Sequence, residues 1–328
     1  MQVAPTLSII IPTFNRPVQL LRCVQSVLPQ LSNNTELIVL DNCSDVSAHS
    51  LIDYTNVKVV TNGFNIGAVG NIMRALEIST GNWVWILGDD DIAAPDGIGI
   101  VLSVIANYSD AGHIFFSNSM GKITPTTIGR GVNFFTNNFN KERFGGLLWI
   151  SSQIFNRKAV ARNVRYAYAF PSSSPQLPLF LMTLETHPTL YHSSEIAIHG
   201  EPTPSEMWDI YGVLDQMTQL FSLPVNKSIK MHLAECLFYW GKDFNNHFLE
   251  VIIIRYTKPE KFDEMLRIFK FRFTYIFANL DNDAELFQVL QERIAILTDN
   301  EKSKLIFDSI PENIRLQTAL LNKVGKIS

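Results

Sequence analysis

The chain has 328 residues, of which 46% are hydrophobic and 18% charged, and it carries a formal net charge of −4 with an isoelectric point near 6.0. That length allows one large domain or two ordinary ones, each able to bury a core. The mild acidity gives no global basic footprint and argues against nucleic acid as a partner, and no apolar run approaches the roughly 20 residues of a membrane-spanning helix.

Leu7 to Ile11 is a run that is apolar but for Ser8, rich in β-branched residues and stopped by Pro12, which predicts a strand buried on both faces. Asn15 is placed to cap the following helix, Pro17 suits its first turn, and Leu20, Leu21, Val24, Val27 and Leu28 recur at helical spacing. Glu36 to Leu40 reads as a second buried strand ending at Asp41-Asn42, and Val57 to Val60 as a third. The third leads into Thr61-Asn62-Gly63-Phe64-Asn65-Ile66-Gly67, whose Asn and Gly residues supply turn conformations that others resist. A helix is predicted from Ala68 to Ile78, then a strand from Trp83, a helix opened by Pro95 and running to Asn107, and a strand from His113 to Ser117.

Strands alternating with helices in this way predict an α/β fold with a mainly parallel sheet between helices, Rossmann-like, with ligands bound beyond the carboxyl ends of the strands. Pro12-Thr13-Phe14, Asp41 and the triplet Asp89-Asp90-Asp91 all fall on that predicted edge. The triplet follows the apolar run Trp83-Val84-Trp85-Ile86-Leu87-Gly88, so it places carboxylates where a buried strand meets solvent. Such a cluster suits a hard divalent cation, Mg²⁺ or Mn²⁺, that keeps positions open for phosphate oxygens. No GxGxxG follows the first strand and no GxxxxGK[ST] occurs, which argues against a dinucleotide loop and removes the P-loop class. A metal would then hold the phosphates and stabilise a departing diphosphate, and Asp41 would accept a base N–H.

Pro12-Thr13-Phe14-Asn15-Arg16, Glu36 to Asn42, Asn65-Ile66-Gly67 and Gly81 to Asp91 together resemble, in order and spacing, family 2 glycosyltransferases of the GT-A fold. The Leu-Gly-Asp-Asp-Asp form is most similar to bacterial transferases that build surface polysaccharides, including the abequosyltransferase-like branch. The resemblance implies that Pro12, Thr13 and Phe14, with Asn15, line the nucleobase pocket, that Asp41 holds the base, and that Asn65, Gly67 and Asn71 approach the nucleotide. Asp89 and Asp90 would face the nucleotide, with Asp89 also in the metal shell, and Asp91 would be the main metal ligand. Many relatives carry an Arg-Asn pair where this chain has Gly70-Asn71.

Inverting members of the family deprotonate the acceptor hydroxyl with a carboxylate that often lies in a Glu-Asp pair well after the metal motif. The corresponding stretch, Phe170 to Pro178, contains no acid, although Gly145 to Arg157 before it still resembles the acceptor-side segment. The base is therefore unknown, with Glu185, Glu195, Glu201 and His199 as candidates; His199 would serve as a base or as a third metal ligand, and Ser172 to Ser174 would orient the acceptor.

From Ser205 onward the sequence reads as a helical appendage, with helices over Ser205–Leu220, Ser228–Trp240, Phe244–Tyr256, Lys261–Leu280 and Ala284–Leu297. Residues 265–277 interleave bulky apolar and basic side chains, a pattern that suits either an anionic membrane surface or packing against protein. Cys23, Cys43 and Cys236 lie far apart without CxxC spacing, which predicts a reducing cytosol. The amino terminus shows no basic segment followed by a long apolar stretch, so no signal peptide is expected and the mature chain is expected to start here.

These readings combine into a GT-A catalytic domain over residues 1–203 and a helical domain over 204–328. The expected protein is a cytoplasmic, metal-dependent and inverting glycosyltransferase, at the inner face of the membrane if residues 265–277 dock there. It would move a sugar from a nucleotide-sugar donor, a UDP-sugar foremost, to a saccharide or lipid-linked glycan acceptor. A GT-A domain without turnover, kept for binding or assembly, is the alternative. A nucleotidyltransferase would need an early glycine-rich basic loop that is missing after Ile11.

Overall fold

The computed structural model describes residues 5–119, 121–123, 125–140, 143–170, 174–200, 210–240, 243–280 and 283–321. Two compact units divide the chain, Met1–Glu201 and Pro202–Ser328.

The first unit begins β1 (Leu7–Thr13), α1 (Pro17–Val27), β2 (Thr35–Asp41), α2 (Ala48–Leu51), β3 (Val57–Thr61), α3 (Gly67–Ile78), β4 (Trp83–Ile86), β5 (Ile92–Ala93) and α4 (Gly97–Asn107). It continues β6 (His113–Phe116), β7 (Thr127–Gly129), α5 (Gly131–Asn138), α6 (Phe144–Leu148), β8 (Gln153–Asn156), α7 (Arg157–Val160), α8 (Val164–Ala169), α9 (Gln176–Thr183), β9 (Thr189–His192) and β10 (Ala197–Ile198). Eight strands form one sheet in the order β3-β2-β1-β4-β8-β6-β9-β7, and β5 pairs with β10 in a separate ribbon. β1 to β4 are mutually parallel where they pair, as are β6 and β9, whereas β8 runs antiparallel to both β4 and β6. The carboxyl ends of β1, β2, β3, β4, β6 and β9 therefore share one edge with the start of β8.

Successive strand residues face opposite sides of the sheet, so strands covered on both faces are apolar throughout. Leu7, Ile9 and Ile11 of β1 belong to a core with Leu20, Cys23, Val24 and Val27 of α1 and Ile98 and Val101 of α4. Ile10 belongs to the opposite core, with Met73, Ala75 and Leu76 of α3. The first strand does not stop at Ile11 as expected. Ile10 accepts from the Leu87 N–H on the β4 side, and by the alternation of a parallel ladder Pro12 faces that same side. β4 has already ended there at Ile86, so the N–H that proline lacks is not required.

The second unit consists of helices: α10 (Ile210–Met217), α11 (Lys227–Tyr239), α12 (Phe244–Thr257), α13 (Phe262–Phe277), α14 (Asp283–Thr298), α15 (Asn300–Ser309) and α16 (Glu312–Leu321). The last two were not anticipated, because α15 buries only Ser303 and shows little apolar periodicity. Asp299, whose side chain accepts from the Glu301 and Lys302 N–H groups, is the capping signal that marks its start. Residues 265–277 lie in α13, where Met265, Leu266, Ile268, Phe269, Phe273, Ile276 and Phe277 are buried within this unit. Phe244, Phe269, Phe273 and Phe277 form an aromatic cluster with neighbouring centroids 4.8 to 5.8 Å apart. Arg272, one of the basic residues of that interleaved stretch, is itself buried and caps α11 by donating from Nη2 to the carbonyls of Leu237 and Trp240, each at 2.9 Å. Packing thus accounts for the buried face of α13, leaving Phe271 and Tyr275 as its exposed large apolar side chains. Among the described residues no helix is long and apolar enough to cross a membrane.

Candidate active site

After β4 the chain makes a tight turn in which the Asp91 N–H donates to the Gly88 carbonyl at 3.0 Å. The three carboxylates then diverge. Asp89 is buried and accepts at Oδ2 from the Thr13 hydroxyl, 2.7 Å away at the end of β1. Burial pushes its carboxyl up to about 6, against the Arg16 guanidinium and the Thr13 hydroxyl, which favour the charged form. Arg16 Nη1 lies 3.1 Å from Asp89 Oδ1 and 3.2 Å from Asp90 Oδ2, so a single nitrogen bridges two carboxylates. The Asp90 backbone carbonyl accepts from Arg22 Nη2 at 2.7 Å.

Asp91, expected as the main metal ligand, is instead an anchor. Its Oδ2 accepts from Trp149 Nε1 at 2.6 Å and from the Ser151 hydroxyl at 2.5 Å, and its Oδ1 accepts from the Gly200 N–H at 3.2 Å. Burial raises its carboxyl above the usual range and these donors oppose that rise. Both oxygens are engaged by protein and the residue is only 2% exposed, so it ties the turn to the entry of β8 and leaves Asp90 beside Asp89 at the crevice.

Several other expectations change in the same way. Asn15 does not cap α1; Arg16 is the N-cap residue, without a side-chain cap bond. Asn15 adopts φ 56° and joins the first two loops, donating to Asp45 Oδ2 at 3.1 Å and accepting from the Asp45 N–H at 2.8 Å. Asp41 is fully buried, and its two oxygens accept from the backbone N–H groups of Ser44 at 2.9 Å and Ala48 at 3.0 Å. In this arrangement it shapes the loop after β2 and does not face the crevice as a base acceptor.

Asn65 and Asn71 belong to an amide network. Asn42 donates to Asn65 Oδ1 at 2.7 Å, Asn62 donates to Asn42 Oδ1 at 2.8 Å and to Asn71 Oδ1 at 2.9 Å, and Arg74 donates to Asn62. Asn71 closes the set on the Leu40 carbonyl at 3.2 Å. Buried amides of this kind fix the loops they join because an unpaired member is costly. The network sets the entry to α3, where Gly67 takes φ 77°, a conformation that favours glycine. Thr13, Asn15 and Arg16 line a cavity of about 240 Å³ together with Ser44, Asp45 and Val46, and Phe14 stands 40% exposed beside it in the chain.

The base candidates separate by position. Glu185 is exposed and precedes β9, whose start lies at the edge of the sheet opposite the triplet, so its place in the fold rules it out. Glu195 is exposed between β9 and β10 and nothing ties it to the triplet. Glu201 and Ser172-Ser173 lie outside the described residues. His199 is exposed, and its ring centroid lies 5.4 Å from that of Trp149, the residue that holds Asp91. His199 Nδ1 is 2.6 Å from the Gly200 carbonyl, which can only accept, so Nδ1 carries a proton and Nε2 is the ring nitrogen left for another partner. Gly200 is pressed against the turn, since a Cβ there would lie 1.6 Å from the Asp90 carbonyl oxygen.

Among the described residues no three His, Cys, Asp or Glu side chains converge to hold a metal ion. Cations of the Mg²⁺ type that serve phosphate chemistry need only one or two carboxylates, with phosphate oxygens and water completing the shell. Asp89 and Asp90 fit that mode, because a cationic nitrogen is already accommodated between them. Sequence inspection gave Arg16, Trp149, Ser151 and Gly200 no part in this site, and their partners stand 58 to 109 residues away. The only local signal was a basic residue in the loop that follows the first strand.

The glycosyl transferase family 2 profile matches residues 8–163. Over 112 residues the chain is 28% identical to the abequosyltransferase RfbV of Salmonella typhimurium, covering 32% of this chain and 34% of that protein. Over 88 residues it is 33% identical to an Escherichia coli UDP-Glc:alpha-D-GlcNAc-diphosphoundecaprenol beta-1,3-glucosyltransferase, covering 26% of this chain and 35% of that protein. The matched stretches thus span about a third of the length of these curated relatives. The fold is similar to that of Staphylococcus aureus TarS 1-349, solved in complex with UDP-GlcNAc, at a TM-score of 0.60 and 17% identity over 93% of this chain and 91% of that one.

Proposed function

Residues 8–163 belong to glycosyl transferase family 2, and from that premise we propose that this chain transfers a sugar from a UDP-sugar to a saccharide or lipid-linked saccharide in bacterial surface glycan assembly. The observation that carries the reading is the placement of Asp89 and Asp90 beyond the ends of β1 and β4, with Thr13 orienting Asp89. The relatives support the substrate class: one is named for a diphosphoundecaprenol acceptor and a UDP-sugar donor, and the similar fold was solved with UDP-GlcNAc.

In this reading Pro12, Thr13 and the exposed ring of Phe14 receive the base, the ring by stacking. The α3 amino terminus, whose Gly67 N–H is taken by Asn65 Oδ1 at 2.8 Å, offers the backbone N–H groups that follow Gly67 to the diphosphate. Asp89 and Asp90 would hold a divalent cation, Mn²⁺ or Mg²⁺, which when bound would offset diphosphate charge as that group departs. His199 Nε2 takes the proton of the acceptor hydroxyl as its oxygen forms the new bond to the anomeric carbon. The bond to the diphosphate breaks on the opposite face and its electron pair leaves with the phosphate oxygen, so the centre inverts. The free thiols of Cys23, Cys43 and Cys236 suit the cytosol as the place of reaction.

Calorimetric titration with UDP, dTDP, CDP and GDP, each with and without Mn²⁺, tests the donor class. Metal-dependent binding of UDP is expected. No binding of any nucleotide would overturn the reading, and binding without turnover on any diphosphoundecaprenol-linked saccharide would leave a binding module in place of an enzyme.

A further inference from the structure

A guanidinium rarely serves two carboxylates through one nitrogen unless the two are held close, and here the fold holds them. Asp89 is fixed from below by Thr13, and Asp90 is fixed through its carbonyl by Arg22 and against Gly200. Arg16 Nη1 occupies the point between them, 3.1 and 3.2 Å from one oxygen of each. A divalent ion shared by the two carboxylates would need the space between them, which the guanidinium nitrogen now fills.

We propose that Arg16 is a tethered cation that closes the Asp89–Asp90 pair in the nucleotide-free protein and yields it only when a divalent ion and a nucleoside diphosphate arrive together. The proposal rests on the metal reading given above and adds to it a named residue that couples the two ligands. A divalent ion entering alone would meet the positive charge of Arg16 at contact distance, and would bring no phosphate anion of its own to take up the displaced guanidinium. A diphosphate entering with the ion supplies that anion, and a guanidinium fork is well matched to phosphate oxygens.

The surroundings allow this motion to be confined to the side chain. The backbone beside Arg16 is pinned, since the Asn15 N–H donates to Ser44 Oγ at 2.9 Å and its amide is paired with Asp45. The Arg16 side chain itself is 29% exposed and borders the cavity of about 240 Å³ lined by Ser44, Asp45 and Val46, which gives it room to turn. Arg16 is thus a positioning residue whose effect appears in the linkage between metal and nucleotide.

The test is Mn²⁺ titration of the full chain at pH 8, followed by electron paramagnetic resonance, with and without saturating UDP, for the wild type and Arg16→Gln. In the wild type, UDP should tighten Mn²⁺ binding strongly. In Arg16→Gln, Mn²⁺ affinity without nucleotide should rise at least about fivefold and the tightening by UDP should shrink by a similar factor, since coupling is reciprocal. Arg16→Lys keeps a charge without the fork and should leave nucleotide-free Mn²⁺ binding weak. That variant decides the matter if Arg16→Gln does not fold by circular dichroism, and a gain in Arg16→Lys equal to that expected of glutamine would overturn the charge argument. Unchanged Mn²⁺ affinity in Arg16→Gln, with UDP binding still metal-dependent, would overturn the role of Arg16 and leave the metal reading standing. UDP binding that ignores Mn²⁺ in every protein would overturn the metal reading itself, and this proposal with it.

Discussion

The Trp149 indole N–H donates to the Asp91 carboxylate at 2.6 Å, joining the segment before β8 to the third residue of the acidic triplet. Ser151 completes the junction: its hydroxyl donates to Asp91 at 2.5 Å and its oxygen accepts from the Gly88 N–H at 2.9 Å. The turn that presents Asp89 and Asp90 is therefore braced at both ends by one short stretch of chain.

That bracing separates the two neighbouring carboxylates experimentally. Asp91→Asn puts an amide where a carboxylate accepts three donors, and should cost about 2–3 kcal/mol of stability. Asp90→Asn gives up one partly exposed ion pair with Arg16 and should cost about 1 kcal/mol or less, yet lose Mn²⁺-dependent UDP binding. Thermal melts and calorimetry on both variants check this. Normal stability with lost metal dependence in Asp91→Asn would return the metal to Asp91.

Gly200→Ala tests the contact between the end of the first unit and the triplet. Its Cβ would lie 1.6 Å from the Asp90 carbonyl, with Arg22 Nη2 at 2.6 Å, so the backbone must move. Overpacking of this kind should cost about 1–3 kcal/mol, and because the displaced atoms belong to Asp90, UDP affinity should fall with stability. A folded variant with wild-type affinity would mean that the turn tolerates displacement.

His199→Asn retains a polar group but no base of suitable strength. Turnover should drop by roughly 10² to 10⁴, the range for loss of a general base, while the UDP dissociation constant measured by calorimetry stays the same. Equal turnover would remove His199 from the chemistry and direct attention to residues 201–209.

His113 gives the fold a pH dependence distinct from that of the site. Burial pushes its imidazole down to about 3, and Gln153 Oε1, 3.1 Å from Nε2, only partly offsets this. Between that value and its ordinary 6.5, the unfolded chain binds a proton that the native state refuses. Stability is therefore full above about 6.5 and falls as pH drops through the window, by up to about 1.4 kcal/mol per pH unit. His113→Phe, set among Phe115, Phe155 and Phe180, should lose that contribution to the slope. Urea unfolding at pH 7 and pH 5 should show the wild type losing more stability than the variant as the pH falls; equal losses would contradict the buried neutral imidazole.

Much of the first unit was legible because buried parallel strands leave nearly unbroken apolar runs: Ile9 to Ile11, Leu37 to Leu40 and Trp83 to Leu87 announce themselves, and the acidic triplet follows the last after one glycine. The antiparallel β8 and the short β7 and β10 carry no such signal, since a few residues on a mixed sheet leave no period to count. Asn15 shows the limit at a single position. Its residue type favours a cap, but the partner it finds is Asp45, presented by a different loop.

The sequence alone determined which residue types end each central strand, and hence that an acidic crevice lies on one edge of an α/β sheet. The tertiary structure decided how the carboxylates divide their work: Asp91 and Asp41 as anchors held by protein donors, Asp89 and Asp90 paired around Arg16. The reason is physical. A carboxylate's role is set by the donors that reach it, and those donors come from Arg16, Trp149, Ser151 and Gly200, which only the folded sheet brings to the same edge.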